Sequence, residues 1–191
     1  MNGKFYLHYV KPFFDFFIAI VLQVILAPLF LLICLLIRLE SKGPAVFRQK
    51  RVGLNNKLFT IYKFRTMVLN NDKGFCTDED PRVTRVGKFL RRLSLDELPQ
   101  LFNILKGEMS FIGPRPAQKF EDVDYGVKEF QARHVVRPGI TGLHQSKYRS
   151  NSTIEQKVSM DLLYIDKLSF KLDFLIILWT FKILLSRKNI N

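Results

Sequence analysis

Cysteine is scarce in this chain: only Cys34 and Cys76 occur in 191 residues, without C-x-x-C spacing. That excludes a disulfide framework and a thiol-built zinc site, and fits a reducing compartment. Histidine is equally sparse, and His8, His134 and His144 are scattered, so no transition-metal centre is indicated. Each reads as an ordinary surface or hydrogen-bonded residue. Acidic residues are few as well: 17 Asp and Glu stand against 30 Lys and Arg, a net charge of +13. Such a surface attracts polyanions, whether nucleic acid, phosphorylated metabolites or anionic lipid head groups. Internal repeats and low-complexity tracts are absent, so the length implies one domain plus any membrane segment.

The chain does have apolar length. Residues 16 to 37 read FFIAIVLQVILAPLFLLICLLI, with Gln23 the only strongly polar member. At ~1.5 Å per residue a helix of this size could cross a ~30 Å hydrocarbon layer. The run is too long for the apolar core of a cleavable signal peptide, and no small-x-small cleavage site precedes the basic segment that follows. Pro28, near its middle, deletes a backbone hydrogen bond and predicts a kink. Two topologies remain open: a kinked spanning helix, or one that dips in and returns to the same face. Lys4 and Lys11 precede the run, and Arg38, Lys42, Arg48, Lys50 and Arg51 follow it. Both flanks therefore prefer the cytoplasmic side, which a dip satisfies and a crossing does not. Asp15 is expected at the head-group level. Residues 172 to 185, LDFLIILWTFKILL, read as an interfacial helix with Trp179 at the membrane boundary; a core helix is the alternative.

Between these segments, VFRQKRVG and KLFTIYKFRTM predict a small β-hairpin turned at Gly53 and Asn55-Asn56. VLNNDKGFCTDEDP is polar and reads as a mobile loop, and RVTRVGKFLRRLS as a short helix carrying Arg85, Lys88, Arg91 and Arg92. The next segment places Leu98, Leu101, Phe102 and Leu105 at helical spacing, with Gly107 as its stop. Ser94 and Glu97 fit a capping box, but Pro99 favours Asp96 as the cap, because proline then falls in the first turn.

At a helix mouth free N–H groups and the macrodipole stabilise negative charge. Asp96 is therefore expected to stay ionised and to suit nucleophilic attack on phosphorus, forming an acyl phosphate. Glu97 beside it could hold Mg²⁺, and Arg91, Arg92 or Arg115 could hold phosphate oxygens. In FIGPRP two prolines fix φ on either side of Arg115 and Gly113 permits a sharp turn, so a stiff loop presents the guanidinium to a planar partner such as a nucleotide. The structural alternatives are a capped amphipathic helix and a rigid connection with an incidental charge. Two rival functions are a membrane-tethered basic module binding lipid or nucleic acid, and a hydrolase using Asp96 and Glu97 as acid and base. Most phenylalanines fall in apolar segments rather than on a basic stacking face, which argues against nucleic acid.

The run DPRVTRVGKFLRRLSLDELPQLFNILKGEMSFIGPRP, preceded by KFRTM and followed by RPGITGLHQ, resembles the bacterial sugar transferases called small monotopic phosphoglycosyl transferases. The resemblance covers roughly residues 10 to 180. It implies transfer of a sugar phosphate from a UDP-sugar to polyprenyl phosphate, typically undecaprenyl phosphate, with release of UMP and use of Mg²⁺. Asp96 would be the nucleophile and Glu97 the Mg²⁺-binding partner, with Asp96 beside the ion. Lys63 and Arg91 would support the phosphate site, and Pro114, Arg115 and Pro116 the uridine. Arg149 is a weaker match, because HQSKYRS stands where relatives carry an Ala-Gln-Val-Asn-Gly-Arg type of run, with His144 in place of alanine. Ala27-Pro28 stands where relatives often have Ser-Pro. Asp161 and Asp173 fall at family-like positions, where a structural role is equally plausible.

The implied fold is α+β: a re-entrant membrane helix over residues 1–40, then a mostly helical, membrane-associated cytoplasmic domain over 41–191 with a short β-hairpin and interfacial amphipathic helices. The implied setting is the cytoplasmic face of the bacterial inner membrane, where the enzyme initiates glycoconjugate biosynthesis. Its partners would be the UDP-sugar, the polyprenyl phosphate and the phospholipid bilayer, with no nucleic acid; a homodimer is compatible with this reading. The sugar depends on pocket shape and is not set by a short motif.

Overall fold

A computed structural model describes residues 3–69, 80–118, 127–148 and 153–186. The expected loop after Leu69, with Cys76, lies largely outside the described residues, as does Arg149.

The N-terminal apolar run forms α1 (Gly3–Ile25), widened to a π-type turn over Tyr6–Val10, and α2 (Ala27–Glu40). α1 is long and apolar enough to cross a membrane. The expected interruption falls at Leu26, where ψ is −1°, and Pro28 sits in the first turn of α2. There its missing N–H leaves no intrahelical bond unmade. Each helix lays one face on the rest of the chain. Ala19, Leu22, Leu26 and Phe30 pack against Phe59, Ile61, Leu101, Ile104 and Met109. Ile33 and Ile37 pack against Ala45, Phe64 and Leu90. The other faces expose Phe13, Phe17, Val24, Leu31, Leu35 and Leu39, an apolar surface of the kind that meets a membrane or another apolar partner.

Two charges of α1 depart from expectation. Lys11 is buried, with Nζ 2.5 Å from Asp173 Oδ2, and Tyr6 Oη donates to the same oxygen at 2.7 Å. Tyr164 Oη donates to the other Asp173 oxygen at 2.8 Å. Asp15, expected among head groups, is buried and accepts the Phe111 N–H at 3.3 Å. The Lys11 charge is tolerated inside because it is paired with Asp173, so Lys11 no longer counts as a free flank charge.

The predicted hairpin forms. β1 (Val46–Val52) and β2 (Leu58–Phe64) pair antiparallel, Val46 opposite Phe64 and Val52 opposite Leu58. Asn55 and Asn56 turn the chain at φ 52° and 61°, a left-handed conformation asparagine tolerates. A second pairing was not expected: β3 (Ser110–Ile112) runs parallel to β4 (Gly139–Thr141). Strands this short carry no alternation to read.

α3 (Arg85–Arg92) starts at Thr84, whose Oγ1 accepts the Gly87 N–H at 2.9 Å. Glu40, the last residue of α2, accepts the Arg85 and Val86 N–H groups at 2.6 and 3.0 Å. A 3-10 turn over Leu95–Gln100 leads into α4 (Leu101–Leu105), which ends at Gly107 with φ +72°. Phe102, expected on the buried face, is 46% exposed, while Asn103 and Ile104 are buried. A 3-10 turn has about three residues per turn rather than 3.6, which shifts the phase of the apolar stripe. Among the described residues four further helices follow: α5 (Val127–Arg133), α6 (Gln145–Tyr148), α7 (Ile154–Asp166) and α8 (Phe170–Leu185). α8 packs Leu172, Ile176 and Trp179 against Ile112 and Tyr164, and exposes Phe170, Phe174, Leu178 and Phe181 on its other side.

His134 provides a pH test of this packing. It is 3% exposed, its Nδ1–H donates to the Phe130 carbonyl at 2.6 Å, and burial lowers its pKa to about 4. An unfolded histidine titrates near ~6.5, so between these values the unfolded chain holds the extra proton. The contribution to stability is whole above that range and falls as pH drops toward 4. His134→Gln keeps an amide donor without a titrating ring. Its denaturation midpoint in detergent should lie below the parent's at pH 7 and converge with it as pH falls; parallel curves would contradict the buried neutral ring.

Candidate active site

Asp96 and Glu97 lie inside the 3-10 turn, directly after Ser94 in the left-handed region at φ +56°. Ser94 makes no side-chain cap hydrogen bond, so the capping box does not form. Asp96 is not the α-helical cap either, because α4 begins only at Leu101. Pro99 is buried within the turn. A short turn followed by a five-residue helix aligns few peptide dipoles, so side chains rather than a macrodipole must offset the charge of Asp96.

Those side chains come from three segments. Lys63, the penultimate residue of β2, places Nζ 2.7 Å from Glu97 Oε1, and Arg115 places Nη2 3.4 Å from the same oxygen. Burial pushes the Glu97 carboxyl up, but Arg115 and Lys63 outweigh it and hold the group below the usual carboxylate range. Asp96 shifts upward: burial and then the charge of Glu97 raise it, against Lys63 and Arg91. Both carboxylates are buried, but they differ in how far cations offset that burial: Glu97 is held as an anion, whereas for Asp96 burial and the Glu97 charge prevail. Environments that push paired groups apart in this way assign different chemical roles.

Arg91 is positioned by β2's continuation. Its Nε donates to Thr66 Oγ1 at 2.9 Å. α3 presses onto that backbone so closely that a Cβ on Gly87 would fall 2.1 Å from the Thr66 carbonyl oxygen.

The FIGPRP loop is as stiff as its prolines imply. Pro114 and Pro116 are buried, while the Arg115 side chain is 57% exposed. Gly113 N–H donates to Thr141 and Gly139 N–H to Pro114, each at 2.9 Å, and Arg133 Nη2 donates to the Arg115 carbonyl at 3.3 Å. Gly113 is needed for close approach rather than for a left-handed turn: a Cβ there would sit 2.4 Å from the Arg137 carbonyl oxygen. Lys63, Arg91, Asp96, Glu97 and Arg115 thus meet in one cluster, with Pro114 and Pro116 bracing Arg115.

Several supporting residues escaped the sequence reading. Thr66 orients Arg91, and Arg65 grips the end of α2 by donating to the Ser41 and Lys42 carbonyls at 2.7 and 2.6 Å. Both belong to KFRTM, the motif that supplied Lys63. Asp161, left open above, binds Arg133 at 2.7 Å with both side chains under 5% exposed. Arg133 in turn holds the backbone of Arg115.

Among the described residues no group of three or more His, Cys, Asp and Glu forms a metal cage. Two adjacent carboxylates nevertheless suit Mg²⁺, which is commonly held by one or two carboxylates together with substrate phosphates. Both cations meet Glu97 at Oε1, and the group is held anionic as a metal ligand must be.

The Asp161–Arg133 pair generates a stability prediction. Asp161→Ala leaves a guanidinium buried beside a missing carboxylate and should cost roughly 3–5 kcal/mol. Adding Arg133→Met should recover much of that loss. Chemical denaturation of the two variants checks this; an unchanged single variant would contradict the buried pair.

A family model described as bacterial sugar transferase matches residues 6–187. The chain is 42% identical over 186 residues to an Aeromonas hydrophila UDP-N-acetylgalactosamine-undecaprenyl-phosphate N-acetylgalactosaminephosphotransferase, covering 93% of this chain and 44% of that protein. It is 42% identical to a Caulobacter vibrioides UDP-glucose:undecaprenyl-phosphate glucose-1-phosphate transferase, covering 94% and 71% of the two chains. It is 40% identical to the uncharacterized sugar transferase EpsL of Bacillus subtilis, covering 95% and 90%. The chain spans less than half the length of the Aeromonas relative. The match over nearly every residue, together with the cluster just described, means that this chain belongs to the bacterial sugar transferase family.

Proposed function

We propose that this chain moves a sugar 1-phosphate from a UDP-sugar to a polyprenyl phosphate, undecaprenyl phosphate by analogy with its relatives, through a covalent intermediate on Asp96. The observation that carries the reading is one basic cluster in which Lys63 and Arg115 hold Glu97 as an anion, while burial and the Glu97 charge leave the adjacent Asp96 shifted the other way. An Asp96 oxygen attacks the phosphorus that bears the sugar. The bond from that phosphorus to the UMP oxygen breaks, and UMP leaves with the electron pair. A phosphate oxygen of the lipid then attacks the same phosphorus and releases the Asp96 carboxylate, leaving a sugar-diphosphate lipid. Two displacements let one site serve a water-soluble donor and a lipid acceptor in turn.

Lys63 and Arg91 hold phosphate oxygens, and the loop of Pro114, Arg115 and Pro116 presents its guanidinium to the nucleotide; Arg149 is a further phosphate ligand by family analogy. Mg²⁺ bound by Glu97 and Asp96 would reduce the negative charge of the diphosphate that Asp96 must approach. The relatives are named for different sugars, N-acetylgalactosamine and glucose among them, so the donor's sugar stays open.

The membrane arrangement belongs to the same proposal: a monotopic enzyme on the cytoplasmic face of the bacterial inner membrane, with α1 and α2 dipping into one leaflet. The support is that one protein body holds both ends of the pair. Lys11 is tied to Asp173 of α8 near one end, and Glu40 to the start of α3 at the other. A crossing would separate these ends by a bilayer. The exposed Phe174, Leu178 and Phe181 suit α8 to the interface.

Purified protein with Mg²⁺ and an accepted UDP-sugar should release UMP and gain a phosphosugar on Asp96 by mass spectrometry. Asp96→Asn should lose both by at least about a thousandfold, as removal of a covalent nucleophile does; retained turnover would exclude Asp96 as that nucleophile. In a variant lacking native cysteines, labels near the N-terminus and after residue 42 should both react only from the cytoplasmic side. Reaction from opposite sides would replace the dip with a crossing.

A further inference from the structure

A groove of about 350 Å³ runs between α2 and α3. Leu29, Leu32 and Leu36 form one wall and Val86 and Phe89 the other. Ile33 and Leu90, 3% and 1% exposed, make its floor, and Leu95 closes it beside Asp96. Its walls are almost entirely hydrocarbon, and its rims at Leu32, Leu36 and Phe89 are 52%, 41% and 58% exposed. Apolar surface left open in this way favours an apolar occupant at ~25 cal/mol per Å² covered. The groove is also preformed. Glu40 fastens the start of α3 to the end of α2 through two backbone N–H groups.

Charge narrows the occupant. Arg85 lies in the lining, and Arg85, Lys88 and Arg92 are exposed along α3, so an apolar trough carries a basic rim. That combination suits a single hydrocarbon chain with an anionic head. The trough ends at Leu95, one residue from Asp96, or ~3.8 Å along the chain. The trough thus ends at the segment that carries Asp96.

We propose that this groove binds the head-proximal isoprene units of the polyprenyl phosphate acceptor, with the basic rim of α3 receiving its phosphate. The assignment rests on the proposed transferase reaction and adds the acceptor's binding surface to it. The remainder of the polyprenyl chain continues into the surrounding bilayer.

The test uses the full chain in phospholipid vesicles. Phe89→Ser and Leu36→Ser should each raise the acceptor KM about tenfold while still forming the Asp96 adduct from donor alone. Leu39→Ser, on the same helix and 75% exposed but outside the groove, should leave the acceptor KM unchanged. An equal rise in all three would mean general bilayer contact and overturn the groove. Loss of the adduct in the groove variants would mean a displaced α3 and overturn it as well. In a second arm, p-benzoylphenylalanine at position 89 should cross-link a polyisoprenyl phosphate added to the vesicles, and unlabelled polyisoprenyl phosphate should compete. Cross-linking to phospholipid alone would overturn the proposal. Failure of the transferase reading shows instead as no adduct in the parent protein, whatever position 89 captures.

Discussion

One carboxylate oxygen, Glu97 Oε1, ties together segments that are far apart in sequence. Lys63 reaches it from the hairpin and Arg115 from the loop after β3. Glu97 is largely shielded from water while Arg115 is more than half exposed, so the two contacts differ in weight. The Lys63 contact is shorter and drier, and partly buried pairs are screened much less than exposed ones. Without Glu97, two cations would face each other beside Asp96. With it, their charge is partly spent, and what remains is available to a phosphate. The neighbouring Asp96 then experiences burial, one anion and two cations at once.

Some of this arrangement was legible in the chain and some was not. The hairpin could be read because its strands are seven residues long and Asn55-Asn56 supplies a turn. The parallel pair of β3 and β4 could not, since three residues show no period and their partner lies nearly thirty positions away. Asp96, Glu97, Lys63, Arg91 and Arg115 were identified by motif, and the structure gathers them. The local backbone was misread: a serine, a glutamate and a proline at the right spacing suggested an α-helical cap, whereas Ser94 is left-handed and a 3-10 turn follows. Capping patterns record only residue order, and the same order serves a tighter turn when proline occupies it. Thr66 and Arg133 went unnoticed because they act by holding other residues of the site, and no spacing rule marks a residue that orients another.

The polar cluster under α1 illustrates the same limit at larger scale. Lys11 and Asp15 stand at the edge of an apolar run, the usual place for charges that meet lipid head groups. Lys11 pairs with Asp173 of the last helix, which also accepts from Tyr6 and Tyr164, and Asp15 accepts from Phe111 of β3. Only the fold brings them within reach. The cluster joins the first helix to the last, so the apolar faces of α1 and α8 are held by one set of buried contacts.

Asn103 has a role outside the reaction. Its side chain accepts the Tyr62 N–H at 3.2 Å and donates to the Thr60 carbonyl at 2.7 Å, so it occupies the outer margin of β2. The far strand is engaged as well, where Val52 meets Ala117. A two-stranded ribbon with unsatisfied margins invites a stranger's backbone to add itself, the first step toward aggregation. Here a side-chain amide imitates the missing strand on one margin, and self-recruitment of the hairpin into larger sheets is blocked at that margin by a single residue.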